Sequence, residues 1–65
     1  MSSYRHEFKF GLSQKVHVPY LHCYGVIERA IWQAGVNYYE TRVYTQDSIV
    51  IVELREDEIS EGEEE

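Results

Sequence analysis

The sequence predicts an all-β domain, a small closed barrel or a strongly bent antiparallel sheet of four or five short strands. Three observations carry this. Residues 36–45 are rich in β-branched and aromatic side chains and alternate between an apolar and a polar set. Residues 49–52 are four consecutive uncharged β-branched residues, Ile49-Val50-Ile51-Val52. Turn-forming residues punctuate the chain at short intervals, and no stretch carries a convincing amphipathic helix period.

Taken in order, residues 15–18 read Lys-Val-His-Val and stop at Pro19, which suits the end of an edge strand. Residues 24–33 contain Val26, Ile27, Ala30, Ile31 and Trp32, a run that periodicity alone allows as a strand or one short helix. The flanking Gly25 and Gly35 and the β character of residues 36–45 favour the strand. Ala34-Gly35 is a tight-turn candidate. In residues 36–45, alternation puts Tyr39, Thr41 and Val43 on one face and Tyr38, Glu40, Arg42 and Tyr44 on the other, the second being the face that water tolerates. Gln46-Asp47-Ser48 is a second turn. The uncharged residues 49–52 form a strand buried on both faces or packed against a partner. Leu54 and Ile59 add two apolar contacts, and a brief turn over Arg55-Glu56-Asp57-Glu58 would return Ile59 to the core. Closure of the sheet would hide the edges that such a β-rich chain otherwise exposes.

A chain of 65 residues supports one small core. Its single cysteine excludes an internal disulfide framework and favours a reducing compartment. No run approaches the roughly 20 apolar residues that cross a bilayer as a helix, and the first residues have no apolar segment of the signal-peptide type, so the expectation is a cytoplasmic protein. The net charge of −6 is unevenly placed. Residues 1–52 carry Glu7, Glu28, Glu40 and Asp47 against Arg5, Lys9, Lys15, Arg29 and Arg42, a net +1, whereas residues 53–65 carry eight acids and only Arg55, a net −7. The expected organisation is an arm over residues 1–7, a barrel over residues 8–59 and a disordered acidic tail over residues 60–65.

The pattern Phe8-Lys9-Phe10-Gly11-Leu12-Ser13-Gln14-Lys15-Val16, then Gly25-Val26-Ile27-Glu28-Arg29, then Asn37-Tyr38-Tyr39, then Leu54 through Glu58-Ile59, resembles small SH3-like barrels of the Tudor and KOW type. More narrowly, it is similar to short phage and prophage proteins that begin with an F-x-x-G-Q-x-V element. The resemblance covers residues 8–59. It implies that the first strand follows the Phe-Gly-Gln element, that a glycine opens the second strand and that an E-x-E-L-like ending closes the barrel. Phage or prophage origin, and hence a bacterial host cytoplasm, are also implied. The chain departs from the pattern by placing Ser13 before Gln14 and by its acidic end. No catalytic residue comes with the resemblance.

Other chemistry is thinly represented. His6, His17, His22 and Cys23 lack the paired short spacings of a zinc site, and adjacent His22 and Cys23 point apart in an extended strand. A Cys-His nucleophilic pair needs a base in reach, a pocket and an oxyanion site, which so short a chain can hardly build. No phosphate-cradling loop, nucleophile elbow or H-E-x-x-H helix is present. The chain therefore reads as a non-enzyme without cofactor or metal. Its aromatics exceed what a small core encloses. Trp32, Tyr38, Arg42 and Tyr44 could stack on bases, but a body of net +1 lacks the footprint that phosphate contact needs. Tyr and Trp equally favour protein interfaces.

The acidic end has three readings: a solubilising extension, a mimic of a phosphate backbone, or a shield over Arg29 and Arg42. The preferred expectation is a protein-interaction module with Trp32, Tyr38, Glu40, Arg42, Tyr44, Glu56, Asp57 and Glu58 as partner-binding residues. In its sharper form it inhibits a host nucleic-acid-processing complex, as anti-restriction and anti-CRISPR proteins do. The alternatives are a nucleic-acid-binding barrel and a phage structural or assembly accessory. A homodimer paired edge to edge through residues 49–52 is a further expectation.

Overall fold

The computed structural model describes residues 6–62, which fold as five antiparallel strands: β1 (Lys15–Val18), β2 (Cys23–Gln33), β3 (Val36–Tyr44), β4 (Ile49–Arg55) and β5 (Ser60–Glu61). They form one sheet in the order β4-β3-β2-β1-β5. Residues 24–33 are thus strand and not helix. Single 3-10 turns, Pro19–Leu21 and Glu56–Glu58, join β1 to β2 and β4 to β5.

Alternation in β3 decides what the sheet encloses. Tyr39, Thr41 and Val43 are fully buried, and they meet Phe10, Val16, Val18, Ile27, Leu54 and Ile59 in one core. A single flat sheet cannot bury one face without a second layer, so strands contributing to one core from β1 to β4 require a strongly bent sheet. The segment before β1 supplies the remaining cover: the rings of Phe8 and Phe10 meet Tyr39 edge-on at 5.9 and 5.4 Å. That segment is tied down by Gln14, whose side chain accepts from the Gly11 N–H at 2.8 Å while its backbone exchanges bonds with Gly11 and Ile27.

Two glycines have steric reasons. At Gly25 a Cβ would lie 2.8 Å from both the Arg42 carbonyl oxygen and Thr41 Cγ2, so β2 and β3 could not approach as they do. Gly35 has φ +78° and follows Ala34 at φ +53°, the pair of left-handed residues that a two-residue hairpin of type I′ demands.

Two expectations are corrected, the edge position of β1 and the bounds 8–59 of the body, and two are narrowed to one of their alternatives. β1 is interior, between β2 and β5, and Pro19 opens a 3-10 turn beside it instead of ending an edge strand. The sheet is bent but not closed, because β4 and β5 stand at its two ends, so an open edge remains. Ile49 and Ile51, 58% and 63% exposed, are not buried on either face within this chain. The ordered body also exceeds residues 8–59. Ser60 and Glu61 pair with His17 and Val16, and His6 is stacked on Trp32. Residues 1–5 and 63–65 of the expected arm and tail lie outside the described residues.

Candidate interaction face

The outer face of β2, β3 and β4 is built by cross-strand rows. Tyr24, Tyr44 and Ile49 stand opposite one another in one row, and Val26, Arg42 and Ile51 in the next. Arg29, Glu40 and Glu53 form the third row, and Ile31, Tyr38 and Arg55 the fourth. Cross-strand neighbours on one face lie close enough to act as a unit. The first two rows form an exposed patch in which Tyr24, Tyr44, Ile49 and Ile51 are all solvent-accessible. Basic side chains flank it: Arg42 Cζ lies 5.9 Å from the Tyr44 ring centroid and Lys15 Nζ 4.9 Å from that of Tyr24.

A bulge in β2 shapes the third row. Pairing slips between Ile27 and Arg29, so Glu28 is an extra residue. Glu28 Oε2 sits 2.8 Å from Arg42 Nε, an ion contact in which the N–H is not aimed at the oxygen. Arg29 Nη1 donates to Glu40 Oε2 at 3.3 Å. Arg29 and Arg42 are therefore both matched by neighbouring carboxylates.

The same bulge separates residues that the sequence groups together. Beyond it the parity of β2 inverts, so Trp32 pairs with Asn37, on the inner side of the sheet next to Tyr39. There Trp32 stacks on the His6 ring at 4.0 Å between centroids. Trp32 does not share a face with Tyr38, Glu40, Arg42 and Tyr44, which do stand together on β3.

The acids of the 3-10 turn divide as well. Glu56 points inward: its Oε2 accepts from the Tyr39 hydroxyl at 2.6 Å, from Asn37 Nδ2 at 3.0 Å and from the Lys9 N–H at 3.0 Å. Burial, reinforced by this bond, pushes the Tyr39 hydroxyl up to about 12, while the Tyr39 bond above all holds the Glu56 carboxyl below its ordinary value. Glu58 Oε1 accepts from the Arg55 N–H at 2.8 Å, and Asp57 faces Arg55 at 3.4 Å. Glu56 is thus a fold residue, and Asp57 remains the exposed acid of the turn. The internal role of Glu56 was hidden because it stands in a uniformly acidic run. The one available signal was the Leu54 to Ile59 spacing, which folds the run back over the core.

Two open depressions flank this turn. One, of about 400 Å³, is lined by Lys9, Gly35, Val36, Asn37, Arg55, Glu56 and Asp57; the other, of about 420 Å³, by Pro19, Tyr20, Asp57 and Glu58. In the first, the Glu56 carboxylate is already engaged by its three donors. Among the described residues no three His, Cys, Asp or Glu side chains converge as a metal site. His17 lies against Tyr24 at 4.9 Å, and the Cys23 thiol donates to the Leu21 carbonyl at 3.2 Å. No described helix is long and apolar enough to cross a membrane. Comparison with protein-family models, curated proteins and solved structures gives no match to this chain.

Proposed function

We propose that this chain is a non-enzymatic interaction module that docks a protein partner through the outer face of β2, β3 and β4. The observation that carries the reading is the exposed patch of Tyr24, Tyr44, Ile49 and Ile51 with Arg42 and Lys15 against the two tyrosine rings. Tyrosine and arginine are the residues that protein interfaces concentrate at their energetic centres. Pairing of Arg29 and Arg42 with Glu40 and Glu28 argues for a protein and against a phosphate backbone, because few cations on this face are left uncompensated. The displacement of Trp32 to the other side further weakens a base-stacking platform. Phage or prophage origin, as the resemblance implies, would make the partner a host or phage protein. Inhibition of a nucleic-acid-processing complex is the narrower form, in which exposed Asp57 and the acids beyond it meet a basic groove.

The test uses the full chain as bait in bacterial lysate, beside Tyr44→Ala and Arg42→Ala. The expected result is one captured protein whose binding weakens about tenfold or more with either substitution, the effect of losing a hot-spot side chain. Capture unaffected by both substitutions, or a clear low-salt gel shift of single-stranded or duplex DNA or RNA, overturns the proposal. Capture that weakens steeply with added salt supports the narrower form, and salt-insensitive capture removes it.

A further inference from the structure

We infer that β4 pairs antiparallel with β4 of a second copy across a two-fold axis at Ile51, continuing the sheet from one protomer into the next. This goes beyond the docking reading, since it uses the free edge of the sheet, sharing only Ile49 and Ile51 with the outer docking patch.

Three features of β4 converge. It ends the sheet, so among the described residues one side of its backbone has no strand partner. Ile49 and Ile51 are 58% and 63% exposed on the outer side. Val50, opposite buried Val43 and hence on the inner side, is 38% exposed. An apolar strand exposed on both faces and along one edge is covered only by something laid alongside it. A second strand does this while pairing the free backbone groups.

Charge selects the register. Directly opposed residues of an antiparallel pair project to the same side, so a symmetric pair can centre on Val50, Ile51 or Val52. Centring on Val50 brings the turn that carries Asp47, just before β4, towards the second copy's Glu53 at both ends, which repels. Centring on Val52 sets both outer isoleucines against charges, Ile49 against Arg55 and Ile51 against Glu53. Centring on Ile51 stacks the two Ile51 side chains, places Val50 against Val52 on the inner side, and brings Arg55 alongside the turn that carries Asp47 at both ends. Ile49 then lies along the aliphatic stem of Glu53. Arg55, whose ion contact to Asp57 at 3.4 Å is exposed, can turn to Asp47.

Sedimentation of the full chain is expected to show a dimer that Ile51→Lys converts to a monomer, with an unchanged β-sheet circular dichroism spectrum because Ile51 is exposed. In a Cys23→Ser background, Ile51→Cys is expected to form an intermolecular disulfide on mild oxidation several-fold faster than Val50→Cys or Val52→Cys, since only a residue on the axis faces itself. A strict monomer at millimolar concentration, a dimer indifferent to Ile51→Lys, or cross-linking fastest at position 50 or 52 overturns the inference. Partner capture that depends on Tyr44 but proceeds with a strictly monomeric chain overturns this inference alone and leaves the docking proposal standing.

Discussion

Tyr39 and Glu56 show how one contact joins distant parts of the chain. The hydroxyl of Tyr39 accepts from the Phe10 N–H at 3.3 Å and donates to Glu56, while Glu56 also receives Asn37 and the Lys9 backbone. N-terminal segment, β3 and the second 3-10 turn therefore meet at one carboxylate. Removing an acceptor from a buried donor costs about 1–3 kcal/mol, and Glu56→Ala is expected to lose that much in urea denaturation. The directions of the two shifts fix the pH dependence. The folded-state value of Glu56 lies below its ordinary 4.5, so its contribution is full above that pH and is lost as pH falls through the folded value. Tyr39, raised from 10.0 to about 12, contributes fully below pH 10 and loses its contribution as pH rises through about 12. Stability measured against pH should fall at both ends, the acid limb flattening in Glu56→Gln and the alkaline limb in Tyr39→Phe. A wild-type profile identical to that of both variants would contradict the assignment. Gly25 makes a second residue-scale case. Gly25→Ala forces a methyl within 2.8 Å of backbone in the adjacent strand, an overpacking expected to cost about 1–3 kcal/mol or more, read as a lowered urea midpoint.

At the scale of elements, the β2–β3 hairpin concentrates both what the sequence discloses and what it conceals. Period-two alternation in β3 was legible because Tyr39, Thr41 and Val43 are the only chemically consistent inner set, and all three are buried. Ala34-Gly35 was legible as a turn, and its two positive φ values explain why. The Glu28 bulge was not legible: Glu28-Arg29 reads as two exposed charges in any register, and only pairing with Arg42 and Glu40 shows that both face outward together. That one extra residue moved Trp32 off the face on which aromatic composition alone would place it. β4 was half legible, since its four β-branched residues fit burial or a partner equally, and only its place at the end of the sheet separates the two. The hairpin also yields a prediction. Ala34 at φ +53° carries a Cβ in a conformation costing L-residues roughly 1–2 kcal/mol, which asparagine tolerates better. Ala34→Asn is expected to stabilise the fold by up to about 1 kcal/mol in thermal or urea unfolding, and a lowered midpoint would show that the turn is not of the I′ form.

For the whole molecule, the question is where the folded unit ends within its acidic last quarter. Composition alone ends it at Ile59, because nothing after that residue is apolar. Backbone pairing extends it: Ser60 and Glu61 add a short strand beside β1, Ser60 Oγ reaches the His17 carbonyl at 3.5 Å, and Gly62 packs so closely that a Cβ there would meet the Lys15 carbonyl oxygen at 2.8 Å. Without these residues β1 becomes an edge, and Val16 and His17 keep only their β2 partners over a core that β1 helps to seal. Ending the chain at Ile59 also removes four carboxylates and leaves a net charge of −2 in place of −6, which relieves self-repulsion and works in the opposite direction. Salt separates the two effects, because screening weakens the repulsion and leaves the backbone pairing nearly untouched. The truncated chain is expected to lose more than about 1 kcal/mol against the full chain in roughly 0.5 M salt, with a smaller deficit at low salt. Equal stability at high salt would mean that β5 adds nothing to the fold and that the acidic end acts through charge alone.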